Sequence, residues 1–208
     1  MVKKLNRLQV EEKLKSMRIS VFTPLEFARI FDIAEQSASV FLSRNVKSGL
    51  FEKLRNKFYI LKDSHPSHYF IANKLYQPSY ISLETALSHY GMIPETVYTI
   101  TSVTTKASRE FITPRGVFSY QKIKRPAFTG YLPFSFEGTT VFLAEPEKAL
   151  ADYLYFVDLG HVTLNDRLTV RRINRKKAEA YIQLFGRPRI LKILQKIYVE
   201  QRNPRAIY

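Results

Sequence analysis

The chain has 208 residues, 45% of them hydrophobic and 13% aromatic, which is enough for one or two ordinary packed domains. It contains no cysteine, and this excludes both disulfides and thiolate zinc sites. The N-terminus is polar and no apolar run approaches about 18 residues, so we expect no signal peptide, no membrane span and a cytoplasmic location.

Charge is distributed unevenly along the chain, whose net charge is +15. Residues 1–62 hold 13 Lys and Arg against 6 Asp and Glu, residues 63–162 hold 8 against 9, and residues 163–208 hold 12 against 3. Both ends are therefore basic and the middle is close to neutral. This excess predicts attraction to polyanions, although it does not by itself predict a fold.

A capped helix is predicted to begin after Thr23. Thr23 can act as the N-cap, Pro24 suits the first helical position, and Glu26 can reach back to close a capping box. Phe22 and Phe27 have the spacing of a hydrophobic staple across the same cap. The sequence therefore predicts a well-defined first helix, which ends after Phe31.

A second helix is expected from Ala34 to Ser48, ended by Gly49. At 100° per residue one side of it is apolar and should face the core, and it consists of Ala34, Ala38, Phe41, Leu42 and Val46. The other side has no carboxylate and includes Gln36, Ser39, Val40, Ser43, Arg44 and Lys47. In a major groove, Arg44 would suit guanine, Gln36 adenine and Val40 a thymine methyl.

Two short strands follow, Leu50–Leu54 and Phe58–Leu61, joined through the polar turn Arg55-Asn56-Lys57. Cations at a hairpin tip are well placed for phosphates or a minor groove. Helix, short turn, helix and basic hairpin in this order predict a winged helix-turn-helix DNA-binding domain over residues 1–62. The alternative is a small helical domain with an ordinary hairpin and solvated charges.

The remaining residues, 67–208, are predicted to form a second, mixed α+β domain after a polar break at residues 62–67. Its expected helices and strands are helices at about 69–75 and 82–91, strands at 97–104, 116–123 and 139–143, and helices at 146–157, 175–185 and 189–201. In the second of these helices, Ser82 is the expected N-cap.

Three stretches of this second domain resemble the AbiEi family of antitoxins, transcription regulators of abortive-infection toxin–antitoxin operons. They are residues 80–91 (YISLETALSHYG), 113–120 (TPRGVFSY) and 143–154 (LAEPEKALADYL). The family is similar in layout too, with an N-terminal winged helix before an α/β antitoxin domain. The resemblance implies a repressor that binds operator inverted repeats in double-stranded DNA and counteracts a nucleotidyltransferase toxin. In this family, usually classed as type IV, that antagonism is thought not to need a stable complex.

The basic C-terminal region suggests a second anion-binding patch. If Asn174 caps a helix, then Arg175, Lys176 and Lys177 occupy its first turn, where cations oppose the helix dipole. The last helix adds Arg189, Lys192 and Lys196 along one side. We expect these six residues either to meet DNA phosphates or RNA, or to form an ordinary solvated face.

No catalytic residue, metal site or cofactor is expected, and the chain is predicted not to be an enzyme. Glu145, Glu147 and Asp152 complement a helix start or form an i,i+4 pair with Lys148. Metal binding by His65 and His68 lacks a third ligand. The rival interpretations are a stand-alone regulator whose second domain senses a ligand or partner, a nucleic-acid enzyme with a targeting domain, and an RNA-binding protein.

Overall fold

The computed structural model describes residues 5–202, and they form an α+β fold in two units. The first unit has three helices and a small antiparallel sheet in the order β1-β3-β2. Its elements are α1 (Arg7–Ser16), β1 (Val21–Phe22), α2 (Pro24–Phe31), α3 (Glu35–Lys47), β2 (Phe51–Arg55) and β3 (Phe58–Leu61). No helix within residues 5–202 combines the length and apolar character needed to cross a bilayer.

The predicted cap of α2 is confirmed. Thr23 Oγ1 accepts a hydrogen bond from the Glu26 amide at 3.2 Å, and the Glu26 carboxylate accepts one from the Thr23 amide at 2.7 Å. The rings of Phe22 and Phe27 lie 5.7 Å apart across this cap. Asp32 ends the helix in the left-handed region with φ +53°, and α3 begins three residues later. The two helices are thus joined by a short, sharply turned connection.

Helix α3 keeps the predicted core side with one exception. Ala38 and Leu42 are fully buried, and Phe41 and Val46 are half-buried against the same core. Ala34 was expected in that core, but it is exposed because it is the N-cap rather than a helical residue. Gly49 follows the helix with φ +79°, a conformation that glycine adopts without the strain of a Cβ.

Two elements of the first unit were not predicted from the sequence. Helix α1 has only two buried residues, Val10 and Leu14, which lie one turn apart. Strand β1 is two residues long and pairs Val21 with Ile60 in β3. Each contains too few apolar residues to give a clear periodic signal in the sequence. Both form because α2, α3 and the hairpin provide an apolar surface against which they pack.

The second unit is a six-stranded mixed sheet with helices, in the strand order β6-β7-β5-β4-β9-β8. Its elements are α4 (His68–Leu75), β4 (Ser79–Ile81), α5 (Leu83–His89), β5 (Thr99–Thr104), β6 (Arg109–Thr113), β7 (Gly116–Lys122), β8 (Tyr131–Phe136), β9 (Thr139–Ala144), α6 (Pro146–Asp158), α7 (Arg175–Gln183) and α8 (Pro188–Arg202). A single 3-10 turn, Arg125–Ala127, lies between β7 and β8. The β4–β9 and β5–β7 pairs are parallel and the other pairs are antiparallel.

The three strands predicted for this unit are confirmed within about two residues, whereas β4, β6 and β8 were missed. Strand β4 has only three residues, and β8 contains Pro133, which removes a ladder donor and is tolerated because β8 is an edge strand. Helix α6 is the centre of the unit, since nearly every residue from Glu147 to Asp158 is buried. The last residues of the predicted second domain, 203–208, lie outside the described part of the chain.

The two units share apolar contacts. One core is built from the first unit alone, around Phe27, Leu42 and Phe51. The larger core of the second unit also includes Leu54 and Ile60 from the hairpin. The β2–β3 hairpin therefore packs against both cores. The domain boundary at residues 62–67 stays a prediction.

Candidate nucleic-acid interface

The outer side of α3 is open to solvent. Gln36, Ser43, Arg44 and Lys47 are exposed, Ser39 is half-buried, and Val40 is 43% exposed although it is apolar. Neither Arg44 nor Lys47 forms an ion pair with any residue in 5–202. The second unit does not cover this side. We call the surface of these six residues the α3 face.

The hairpin tip is smaller than predicted. Arg55 still belongs to β2 and pairs with Phe58, so the turn itself consists of Asn56 and Lys57. Both turn residues are exposed, and Lys57 has φ +64°. The tip therefore presents one cation and one amide.

Arg55, which was predicted to contact DNA, binds groups of the second unit. Its guanidinium donates from Nε to the carbonyl of Leu75 at 3.0 Å, and it lies 4.0 Å from the ring centre of Phe58 and 4.9 Å from that of Phe111. Partial burial lowers the pKa of this guanidinium from its ordinary value. Arg55 thus joins the hairpin to the second unit, through partners 20 and more residues away that the sequence pattern could not indicate.

The six cations predicted as a second anion patch do not form a continuous free surface. Lys177 is the clearest correction, because its Nζ lies 2.7 Å from Glu145 Oε1 and 3.7 Å from Glu147 Oε2. Three others are exposed but paired: Arg175 with Glu179, Arg189 with Asp158, and Lys196 with Glu200. Lys176 and Lys192 are exposed and form no ion pair with a residue in 5–202.

The carboxylates at the start of α6 explain the pairing of Lys177. Glu145 accepts hydrogen bonds from Lys177 and from the hydroxyl of Tyr181, and Glu147 accepts one from the Asn174 amide at 3.0 Å. Burial alone would raise the pKa of Glu145, but the bonds from Lys177 and Tyr181 outweigh it, so that this pKa lies below its ordinary value. Lys177 at the start of α7 is therefore held by the carboxylates at the start of α6 rather than left for a ligand.

Asp152 and Lys148 form the i,i+4 pair expected from their spacing, and this pair is buried. Both side chains are fully buried and in contact. Asp152 Oδ2 also accepts bonds from Ser82 Oγ at 2.7 Å and from the Tyr80 hydroxyl at 3.1 Å. Ser82 is thereby turned away from the α5 cap predicted for it. The cluster ties β4 to α6 through groups that have no contact with solvent.

His89 and His65 contact different groups. Burial lowers the pKa of the His89 imidazole from its ordinary value. Its ring lies 5.1 Å from Phe134 and 5.0 Å from Tyr90, among other aromatic rings. His65 Nδ1 lies 3.4 Å from Arg115 Nη1. No group of three or more metal-ligating side chains occurs among residues 5–202.

Comparison with known proteins gives little. No family model matches the chain, and no curated protein matches it. Among solved structures, the chain is similar to the antibiotic-resistance factor ANT(2'')-Ia, with 11% identity and a TM-score of 0.32 over 64% of this chain and 89% of that one. The solution structure of that protein reveals substrate-regulated conformation dynamics.

The prediction that the chain is not an enzyme is contradicted by this neighbour, whose conformation is regulated by a substrate, and is not carried further. A TM-score of 0.32 is too low to argue for any particular reaction in this chain. The described residues include several exposed polar and cationic surfaces. The α3 face is one of them, and all its members lie on a single helix.

Proposed function

We propose that residues 5–62 form a winged helix-turn-helix that binds double-stranded DNA, with α3 as the recognition helix in the major groove. The observation that carries the proposal is the α3 face, which is free of carboxylates and exposed along three turns. Two further features support the proposal. A short turn joins α2 to α3, and the β2–β3 hairpin that follows α3 pairs with β1 as the third strand of its sheet.

The chemistry of the α3 face suits base edges as well as phosphates. Arg44 can donate two bonds to guanine, Gln36 can pair with the adenine edge, and Val40 can contact a thymine methyl. The Val40 side chain is 43% exposed and is therefore available for such a contact. Lys47 and the tip residue Lys57 would supply phosphate contacts on either side of the groove.

We further propose that the protein regulates transcription as an AbiEi-like antitoxin, acting on its own operon and against a nucleotidyltransferase toxin. This part rests on the resemblance of residues 80–91, 113–120 and 143–154 alone. If it is correct, the adjacent reading frame encodes such a toxin, and co-expression of this chain relieves its toxicity. A regulator that senses a ligand through its second unit would bind DNA equally well but would give no such rescue.

The decisive experiment is a comparison of Arg44→Ala with Lys192→Ala on duplex DNA. A preferred duplex is first selected from a randomised pool, and affinity is then measured on that duplex and on a scrambled one. Arg44→Ala should lose about 1–3 kcal/mol on the selected duplex and much less on the scrambled one, because a base contact is lost. Lys192→Ala, an equal charge change on α8, should leave both affinities close to wild type.

Two results would reject this reading. Equal losses on both duplexes would show that Arg44 contacts only the phosphate backbone. A chain that selects no sequence at all and binds duplexes only weakly would remove the recognition-helix assignment.

A further inference from the structure

A cleft on the second unit is lined mainly by aromatic rings. It has a volume of about 310 Å³ and lies between the Gln77–Ser79 segment and the rings of Phe128, Tyr131 and Phe142. Tyr131 stands 5.4 Å from Phe128 and 5.8 Å from Phe142, and on its other side it stacks on Tyr80 at 4.4 Å. The Phe142 side chain is 44% exposed, an unusual placement for a ring.

The rings are held by contacts beneath them. Tyr80, fully buried, donates from its hydroxyl to Asp152, and Tyr131 is stacked on its ring. The backbone of Phe142 is fixed by Asn73, whose amide nitrogen donates to the Phe142 carbonyl at 3.4 Å and whose oxygen accepts from the Phe142 amide. The cleft is therefore shaped before any ligand enters, and a rigid site loses less entropy on binding.

One polar group at the cleft has no partner. Ser79 lines the cleft and is buried, and its Oγ forms no hydrogen bond with any residue in 5–202. An unpaired buried hydroxyl is unfavourable, so we expect it to gain a hydrogen-bond partner when a ligand edge enters the cleft.

Four cations lie on segments that neighbour those lining the cleft. Lys106 lies 5.6 Å from the ring centre of Tyr76, the residue before Gln77, and the amide of Lys122 is bonded to Ser108 Oγ at 2.9 Å, next to Arg109. Arg125 opens the 3-10 turn, and its carbonyl accepts from the Phe128 amide at 3.0 Å. We call these four residues, Lys106, Arg109, Lys122 and Arg125, the cationic rim.

No acid neutralises this rim. All four cations are exposed, and none forms an ion pair within the described part of the chain. Glu110 neighbours Arg109 in β6, but alternation along a strand sends the two side chains to opposite faces. The rim is thereby distinct from the α7–α8 cations, most of which are paired.

We propose that this cleft and its rim bind single-stranded nucleic acid, with one unstacked base against the exposed ring of Phe142 and the flanking phosphates on the four cations. Aromatic rings beside unpaired cations are the combination that single-strand sites use. The cleft volume lies at the small end of the range for ligand pockets, which fits one base rather than a larger ligand. Duplex DNA keeps its bases stacked and cannot fill the cleft, so this site is separate from the α3 face.

A fluorescent reporter makes the test direct, because the chain contains no tryptophan. In a Phe142→Trp variant, the single indole would be quenched when a base stacks on it. The probes are oligo(U) RNA and oligo(dT) of about 12 nucleotides, within the range that a single-strand-binding fold covers, and a duplex of the same length. We expect quenching by a single strand and not by the duplex. The oligonucleotide that quenches at the lower concentration identifies RNA or DNA as the preferred ligand.

Affinity measurements on the otherwise native chain complete the test. Phe142→Leu keeps an apolar side chain but removes the ring, and it should weaken single-strand binding about 5- to 150-fold. Lys122→Gln with Arg125→Gln should flatten the dependence of log affinity on log salt by about 1.4. Lys176→Gln with Lys192→Gln is the control of equal charge change and should leave that slope unchanged.

The proposal is overturned if Phe142→Trp is not quenched by either strand. It is also overturned if the Lys176/Lys192 pair, rather than the Lys122/Arg125 pair, sets the salt slope, since the strand would then lie on α7 and α8. Arg44→Ala should leave the affinity for single strands unchanged. The single-strand proposal and the proposal of duplex recognition by α3 can therefore fail independently of each other.

Discussion

Arg115 and Glu52 form an ion pair between the two units, with Arg115 Nε 2.6 Å from Glu52 Oε2. Arg115 lies in the turn between β6 and β7, and Glu52 lies in β2 of the hairpin. The same guanidinium donates to the Lys62 carbonyl, so it also holds the chain where the first unit ends. Both side chains are at most one quarter exposed, which makes this pair more than a surface contact.

Replacing Arg115 by alanine should loosen the two units from each other. Loss of its hydrogen bonds to a charged partner and to a carbonyl should lower the free energy of unfolding by about 1.5–3 kcal/mol. We also expect faster proteolytic cleavage within residues 62–67, measured by limited digestion. Arg167→Ala is the control, because its pair with Glu95 lies within the second unit and its side chain is 67% exposed. Equal effects of the two variants would contradict a role in joining the units.

The buried pair of Lys148 and Asp152 predicts a large loss on single substitution. Lys148→Met should lower the free energy of unfolding by about 3–5 kcal/mol, because it leaves a carboxylate without its cation in the core. Adding Asp152→Leu should restore part of that loss, since no buried charge then remains. Chemical denaturation measures both.

The matching exposed pair on α7 provides the control. Arg175 and Glu179 are also four residues apart, but their side chains are 48% and 33% exposed. Removing that pair should cost only about 0.2–0.5 kcal/mol. If Lys148→Met cost no more than this, the buried pair would have no special role in stability.

Glu145 should make the stability of the fold depend on acid pH. Its pKa lies below its ordinary value of 4.5 in the folded chain, so unfolding binds a proton on this group. The stabilisation is fully present above pH 4.5 and is lost as the pH falls through the lower folded pKa. Glu145→Gln lacks this titration. The difference in unfolding free energy between wild type and this variant should therefore shrink below pH 4.5.

Denaturation at a series of pH values from neutral to acid measures that difference. Glu179→Gln, which removes a more exposed carboxylate from α7, serves as the control and should show little such change. A wild-type advantage over Glu145→Gln that stays constant down to the acid end would contradict the prediction.

What the sequence could predict depends on the range of the interactions involved. The α2 cap at Thr23 and the stop at Gly49 are set by residues within four positions, and the structure confirms both. The α3 face could be predicted because its members share one helix. In contrast, β8 shows no clean alternation because Pro133 interrupts it and several of its residues are exposed on both faces.

Side-chain partners were the part that could not be predicted. Lys177 was assigned to an anion patch because it is one of three cations in the first turn of its helix, whereas Glu145 binds it from 32 residues away. The pairing of Asp152 with Lys148 was predicted from the spacing, but its burial depends on β4 and α7 lying over α6. The cleft beside Phe142 combines four separate segments and gives no signal in any one of them.

Arg55 and Lys57 are two cations of one hairpin with different predicted roles. Arg55 donates to Leu75 and lies over Phe58, whereas Lys57 is exposed at the tip. Arg55→Ala should lower the free energy of unfolding by about 1.5–3 kcal/mol and leave the salt dependence of duplex binding unchanged. Lys57→Ala should do the opposite, leaving stability intact and flattening the salt slope by about 0.9 if it contacts one phosphate.

Each variant is the control for the other, because both remove one positive charge within three residues. Thermal denaturation gives the stability change, and duplex affinity over a salt series gives the slope. If Arg55→Ala flattened the slope as Lys57→Ala is expected to, its guanidinium would have to leave the Leu75 carbonyl on DNA binding. The hairpin would then move relative to the second unit, since the carbonyl that Arg55 binds belongs to α4.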